Sequence, residues 1–466
     1  MGNCVSLPAS LSLWSGDGIV ILSRTSSART PYGGTMAPVD ILDAREQRAA
    51  FQQELLAQNS GAVLVCIKAN YPGPDKHTPH TSFTVHLLAR EIEDSIPVIG
   101  RWETDTCEGT AVYFISAGAA VPIKDAMMRL ENNHPLGRLI DIDVLSSRGA
   151  VSRRDMGYPE RTCFICNEPA RICARMRRHP VETIQKYYRD TVEDWCARDA
   201  TRSVLFALVA EAACRPKFGL VTPFSQGRHR DMDYPLLVRS AFAIAPLITE
   251  ATAMIDALRK PEDVFHDLRH AGVGIERKML EVTGGVNTHR GAVFTFLLVL
   301  MAMRLDHAVP LSERIRMLAA PVAEDFQAIE KKAAQGTPLS HGEQVYMQYG
   351  EGGIRALALA GFPRVFNDYL PFFLVQEDEP NTALARTLLH IMATCDDTTV
   401  LYRNGIDALR EVQRGAADVL AGKKEMMLFN DECIRRGISA GGCADLLALV
   451  VFLTVHGKKG HDAGTV

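Results

Sequence analysis

The stretch HPLGRLIDIDVL, residues 134–145, sets Ile140, Ile142 and Val144 in alternation with Asp141 and Asp143. Strict alternation reads as a β-strand, in which side chains at i and i+2 share a face. The three β-branched residues are therefore expected to pack inward. Both carboxylates then point the same way, about 6–7 Å apart along the strand. Like charges on one face repel unless something positive lies between them, and a divalent cation is the simplest candidate.

The segment after this strand is rich in arginine. Nine arginines and no lysine lie between Arg138 and Arg178. Guanidinium forks match phosphate geometry and stay charged at any working pH. Beside a same-face aspartate pair they describe a site for a polyphosphate held with Mg²⁺, and so metal-assisted phosphoryl or nucleotidyl transfer. The bland alternative is a solvated charged face. The same segment, RTCFICNEPARICARMRRH (161–179), brings Cys163, Cys166, Cys173 and His179 into one short run. These four could fill a tetrahedral zinc site. Reduced structural thiols and a redox C-x-x-C pair are the alternatives, the latter without a thioredoxin-like context.

At 466 residues the chain is too long for one ordinary core, so more than one domain is expected. Hydrophobic and charged fractions of 47% and 23% are those of a globular protein. A net charge of −4 exerts no general pull on nucleic acid. Eleven scattered cysteines suit a reducing compartment better than a disulfide framework, which implies a cytoplasmic setting. The apolar runs at 294–303 and 446–455 fall short of the roughly 20 residues a spanning helix needs, so no membrane is expected. The opening MGNCVS matches an N-myristoylation pattern, with Cys4 placed for a second acyl chain. Against this stands a chance match in a disordered leader, residues 1–35, with the fold beginning near Met36.

From 36 to 187 the texture is mixed. Residues 44–58 read as a helix, and GAVLVCIKANY and GTAVYFISAGA read as strands. From 190 to 466 long Ala- and Leu-rich helical segments succeed one another, at 202–214, 235–258, 292–305, 382–394 and 444–455. Chemistry in this all-α half is expected in the loops. In EVTGGVNTHRGAVF a Gly-Gly turn feeds a helix start carrying Asn287, Thr288, His289 and Arg290, an anion site by its backbone N–H groups. In GRHRDMD, His229, Asp231 and Asp233 stand close enough to hold a metal or a ribose.

The stretches NHPLGRLIDIDV, SRR and RTCFICNEPARICARMRRH, with ANYPGPDK upstream, resemble the citrate lyase holo-acyl-carrier-protein synthase family, the CitX type. That family is similar to nucleotidyltransferases. It attaches 2′-(5″-phosphoribosyl)-3′-dephospho-CoA to a serine of the citrate lyase acyl-carrier (gamma) subunit and releases pyrophosphate. The resemblance implies Asp141 and Asp143 as Mg²⁺ ligands and Arg138 as a phosphate contact, with Lys76, Arg153 and Arg154 binding the rest of the substrate.

The helix-joining stretches PKFGLV, GRHRDMD, TGGVNTHRG, HGEQVY, AGFP, DDTTVLYRNG and ISAGGCADLLA resemble the triphosphoribosyl-dephospho-CoA synthase family, the CitG type. That family condenses ATP with 3′-dephospho-CoA and releases adenine; its product is the substrate of the first half. The resemblance makes Asp231, His289 and Asp397 candidate catalytic residues. Lys217, Thr283, Gly284, Gly285, Asn287, Arg290, His341, Arg403 and Asp445 become candidate binding residues. Departures from its pattern are Phe218, Leu357, Thr399, Ala440 and Cys443. The expected architecture is thus multidomain, an N-terminal α+β nucleotidyltransferase-like domain followed by an all-α domain. A closely similar synthase serves malonate decarboxylase, so the first half favours citrate lyase. The rival from another class is a zinc-stabilised, arginine-rich nucleic-acid-binding or scaffold protein. An aromatic content of 7% leaves it few stacking platforms.

Overall fold

The computed structural model describes residues 39–457, apart from 167 and 307. The leader and its acylation pattern lie outside the described residues. The described residues fall into two compact units, divided between Val192 and Glu193.

The first unit opens with α1 (Val39–Gln58), β1 (Val63–Ala69), α2 (Pro79–Ser95), β2 (Val98–Thr106), β3 (Gly109–Ser116) and α3 (Ala120–Asn133). It continues with β4 (Ile140–Ser146), β5 (Gly149–Ala150) and the short α4 (Ala170–Arg175), and enters α5 (Val181–Ala197). The strands form one antiparallel sheet in the order β2-β3-β1-β4-β5. Period-two patterning decides its faces. Leu64 and Cys66 on β1 join Tyr113 and Ile115 on β3 beneath Leu55 and Phe51 of α1. On the opposite face Ile140, Ile142 and Val144 are all but fully buried, and α2 and α3 pack against the sheet. β1 and β4 pair in register Lys68↔Asp141 and Cys66↔Asp143, which puts the two aspartates on the α1 face. Helix α2 starts in a capping box between Thr78 and Thr81.

The second unit is helical. Its elements are α6 (Ala200–Ala213), α7 (Tyr234–Met254), α8 (Pro261–Val282), α9 (Arg290–Met303), α10 (Leu311–Ala319), α11 (Val322–Ala334) and α12 (His341–Tyr349). They continue as α13 (Gly353–Leu359), α14 (Leu370–Leu374), α15 (Pro380–Thr394), α16 (Thr398–Leu420), α17 (Met426–Arg435) and α18 (Gly441–Gly457). Helix α18 is buried on almost every side and packs on α6, α9 and α15, as a helix apolar all round should. One expectation needs correction: α7, with 21 residues, is long and apolar enough by length and composition to cross a membrane. Arg239 and Glu250 break its apolar run, so counting uninterrupted residues missed it. In the structure it packs against α6, α8 and α9.

Candidate active sites

In the first unit the positive group between the two aspartates is Lys68. Its Nζ lies 2.5 Å from Asp141 Oδ2 and 3.2 Å from Asp143 Oδ2. The carboxylates are 41% and 42% exposed, the lysine 18%. Burial opposes ionisation of Asp141, but Lys68 and then Arg161 outweigh it and hold the carboxyl below its ordinary range. A second layer fixes the strand from beneath. Glu131 of α3, almost fully buried, accepts from the Ile142 N–H at 3.1 Å. Lys124 donates to the Ile142 carbonyl at 2.9 Å. The outer side of Glu131 pairs with Arg161, and with Arg153 at 3.2 Å.

Of these groups Asp141, Arg153 and Arg161 line a cleft of about 800 Å³. Arg138, Arg153, Arg154, Arg161 and Arg171 face it together with His179. Arg138 donates to the Thr162 carbonyl and lies 5.9 Å over the Phe164 ring. Arg154 is 83% exposed, with Glu160 3.5 Å away. Asp143 and Lys76 are not among the cleft-lining residues. Lys76 sits beside Glu108, which Arg45 and Arg48 grip at 2.9 Å each. Burial, only partly offset by Glu108, pushes the Lys76 amine down. The cysteine cluster does assemble: the ligand atoms of Cys163, Cys166, Cys173 and His179 all lie within 4.8 Å of one another.

In the second unit the loop residues meet a buried polar core. Lys217 and Glu211 form a buried ion pair at 2.6 Å. Asp445 accepts from the Ala292 N–H at the start of α9. The acceptor for that N–H is therefore the protein's own Asp445 carboxyl, and Gly291 makes room for it, since a Cβ there would overlap Asp445. Burial, then the nearby charges of Glu211 and Asp397, push the Asp445 carboxyl well up. Asp397 caps α16, accepting from Thr399 N–H at 2.8 Å, Val400 N–H at 3.0 Å and Cys443 N–H at 2.9 Å. His289 hydrogen-bonds Ser240 through Nδ1 at 3.1 Å, while Nε2 has no partner among the described residues. Burial, then Lys217, push this imidazole down to about 3.

Around Asp397 lies a second, more open group. His229 bonds Ser439 at 3.0 Å and stands 3.7 Å from the exposed Asp231. Arg403 is in electrostatic contact with Arg228, Asp231 and Asp397. His341 stacks on Tyr402, ring centroids 4.0 Å apart. Other expected residues have local duties. Asp233 caps α7 through the Leu236 N–H at 2.9 Å. Arg290 pairs with Glu276 at 3.0 Å, and Asn287 accepts from the Arg290 N–H at 3.3 Å. Thr283 ties the turn through the Met279 and Val286 carbonyls, while Gly284 and Gly285 take positive φ. Of the groups missed from sequence, Glu211 had a signal: an acid inside an apolar helix, VLFALVAEAA. Lys68, Glu131 and Arg161 had none, because their partners are set by register and packing.

Residues 38–195 match the family described as apo-citrate lyase phosphoribosyl-dephospho-CoA transferase, CitX. Residues 197–462 match ATP:dephospho-CoA triphosphoribosyl transferase, CitG. Protein CitXG of Haemophilus influenzae is 31% identical over 440 residues, 88% of this chain and 94% of its own length. The chain belongs to the CitXG family. CitXG of Leuconostoc mesenteroides is 28% identical over 452 residues, 89% of this chain and 96% of its own. A probable 2-(5″-triphosphoribosyl)-3′-dephosphocoenzyme-A synthase 1 of Salmonella typhi is 39% identical over 264 residues, 53% of this chain and 87% of its own. A CitXG chain is a bifunctional transferase of citrate lyase prosthetic-group synthesis.

Proposed function

We propose that the helical unit condenses ATP with 3′-dephospho-CoA and that the sheet unit, a nucleotidyltransferase-like domain, loads the product onto the citrate lyase acyl-carrier subunit. The observation that carries this reading is the arginine-lined cleft beside Asp141, in the half that matches the citrate lyase transferase family. In the first reaction a ribose hydroxyl of dephospho-CoA attacks C1 of the ATP ribose. The glycosidic bond breaks as the new C–O bond forms, and adenine leaves with the bonding pair and takes up one proton in place of the one the hydroxyl gives up. Positive charge builds on the ribose, and a carboxylate nearby stabilises it. Asp231, 65% exposed beside His229 and Arg403, is the carboxylate that faces solvent. Arg403 balances charge on the triphosphate and Asp397 positions the turn that carries it, while Lys217, paired with Glu211 in the interior, holds the polar core behind them.

In the second reaction the carrier serine Oγ attacks the α-phosphorus of the triphosphoribosyl group. The new P–O bond forms as the bond to pyrophosphate breaks. Arg138, Arg154 and Arg171 offer guanidinium forks to the departing pyrophosphate, and Arg153 and Arg161 hold the floor through Glu131. Asp141 and Asp143 suit Mg²⁺: they are half-exposed, and one oxygen of each converges on a single point, held by the Lys68 ammonium. The metal, when bound, neutralises charge on the phosphates. Lys68 holds the Asp141 carboxyl in its ionised form and aims both carboxylates until the substrate arrives. Every described cysteine is a free thiol, which supports a reducing, cytoplasmic setting.

The test is the intact mass of the carrier subunit after incubation with the protein, ATP, dephospho-CoA and Mg²⁺. A gain of one phosphoribosyl-dephospho-CoA group, absent with Asp141→Ala, is the expected result. Loading of the malonate decarboxylase carrier in preference to that of citrate lyase would reassign the pathway.

A further inference from the structure

The segment from 151 to 180 carries much of the cleft wall, and although Arg153 and Arg161 tie its first part to Glu131, it has almost no apolar core of its own. Among its described residues Cys173 is the only buried hydrophobic one. Its regular structure amounts to α4, six residues long, and one isolated bridge between Thr162 and Pro169. Ile165, Ile172 and Met176 are exposed at 37%, 36% and 67%, so apolar packing is not the staple. A segment this poor in core generally needs a disulfide or a metal.

The side chains that do converge here are three thiols and an imidazole. Cys166 Sγ lies 3.5 Å from Cys173 Sγ and 3.3 Å from His179 Nε2. Bond lengths of zinc to sulfur and nitrogen imply tetrahedral edges of about 3.8 Å and about 3.6 Å. Cys163 opens its turn as zinc-binding C-x-x-C turns do, with the Ile165 N–H directed at its Sγ at 3.4 Å. The turn closes through the Cys163 N–H to the Glu168 carbonyl at 2.8 Å. The four donors come from three places: the turn, α4, and the approach to α5.

We infer that Cys163, Cys166, Cys173 and His179 form a structural zinc site that pins the arginine-bearing wall of the cleft. With four protein ligands the coordination is closed, so the metal takes no substrate. What it fixes are the neighbours. Phe164, inside the C-x-x-C turn, stacks on Tyr187 with ring centroids 5.6 Å apart and lies under Arg138. Thr162 accepts from Arg138 one residue before the first ligand, and Arg161 precedes it. Losing zinc therefore disorders the phosphate-binding side of the cleft and leaves Asp141 and Lys68 on the sheet in place.

The experiment uses the full chain, made with zinc supplied and purified without chelator, and measures metal by mass spectrometry. The expected content is about one zinc per chain, as a single four-ligand site requires. It should be retained in Cys433→Ser, which removes a thiol from the helical unit, and lost in Cys166→Ser. Cobalt exchanged into the wild-type chain should give thiolate-to-cobalt charge transfer and the intense visible bands of a tetrahedral ion. Because serine variants can misfold, the wild-type chain is also stripped by chelation. Protease cleavage should then appear within 151–180 and be suppressed again by added zinc. These readouts do not depend on the transferase reading. One consequence rests on it: stripped protein should show a raised KM for premade triphosphoribosyl-dephospho-CoA with a smaller change in kcat. A chain that takes up neither zinc nor cobalt overturns the site, whether its thiols titrate freely or Cys166 and Cys173 are joined as a disulfide.

Discussion

Lys68 is the residue on which the transferase half turns. Its cross-strand neighbour is Asp141, and its ammonium satisfies two carboxylates that would otherwise repel. Lys68→Met should therefore raise the Asp141 pKa. It should also make Mg²⁺ stabilise the free protein more than it stabilises wild type, because the metal no longer competes with an amine. Carrier loading should fall by about 10–100-fold, the usual cost of removing a group that orients metal ligands. Melting with and without Mg²⁺, beside a loading assay, decides this; an unchanged Mg²⁺ response would mean the metal binds elsewhere. His289 gives a second prediction, in pH. Its folded pKa of about 3 lies below the ordinary value of 6.5, so between these values the unfolded chain holds a proton that the folded chain does not. The stability it contributes is complete above 6.5 and is lost as pH falls toward 3. From pH 7.5 to 5 that loss is about 2 kcal/mol. Denaturant unfolding of wild type and His289→Gln at both pH values should show a shallower acid loss in the variant. Asp445 and Asp397, with raised values, tilt both proteins the opposite way and cancel in the comparison.

At the level of elements, the start of α9 shows how backbone geometry serves the polar core. Asp445 on α18 reaches the Ala292 N–H only because residue 291 has no side chain. Gly291→Ala should force the two helices apart or turn the carboxylate away, destabilising the helical unit by about 1–3 kcal/mol as overpacking usually does. ATP-dependent synthesis should fall with it, while loading from premade triphosphate should keep its wild-type rate; a parallel drop in loading would count against separate sites. The same helix start marks what sequence could reveal. The strand at Ile140–Ser146, its inward face and the apolar helices were legible, because burial on one face imposes period two or 3.6 on the residues themselves. The T-G-G-V-N-T-H-R run read as a ligand-binding terminus, but nothing in it signals that Asp445, about 150 residues away in the chain, accepts from the Ala292 N–H there. Strand β2 reads VIGRWETDT, half-exposed with a register shift between Val98 and Gly100, and so gives no clean alternation. Lys68 stands next to last in an otherwise apolar strand and looks like the start of a solvated tail until the register is known.

At the scale of the whole chain the question is whether two reactions on one polypeptide remain two reactions. The polar groups of each belong wholly to their own unit: Lys68, Asp141 and the cleft arginines before Val192, Lys217, Asp397, Arg403 and Asp445 after it. Covalent linkage raises the local concentration of the intermediate at its consumer, but it does not require direct transfer. Two variants separate these cases. Asp141→Ala should still make triphosphoribosyl-dephospho-CoA and fail to load the carrier. Arg403→Ala removes an exposed guanidinium, so it should fold; it should lose synthesis by roughly 100-fold, the cost typical of one charge-stabilising donor, and still load from premade triphosphate. Mixed together with ATP and dephospho-CoA, the two chains should restore loading after a lag that shortens as the Asp141→Ala protein is increased, because its product must first build up in bulk. If the mixture stays silent while each variant performs its own half-reaction at the normal rate, the intermediate does not leave the chain that made it.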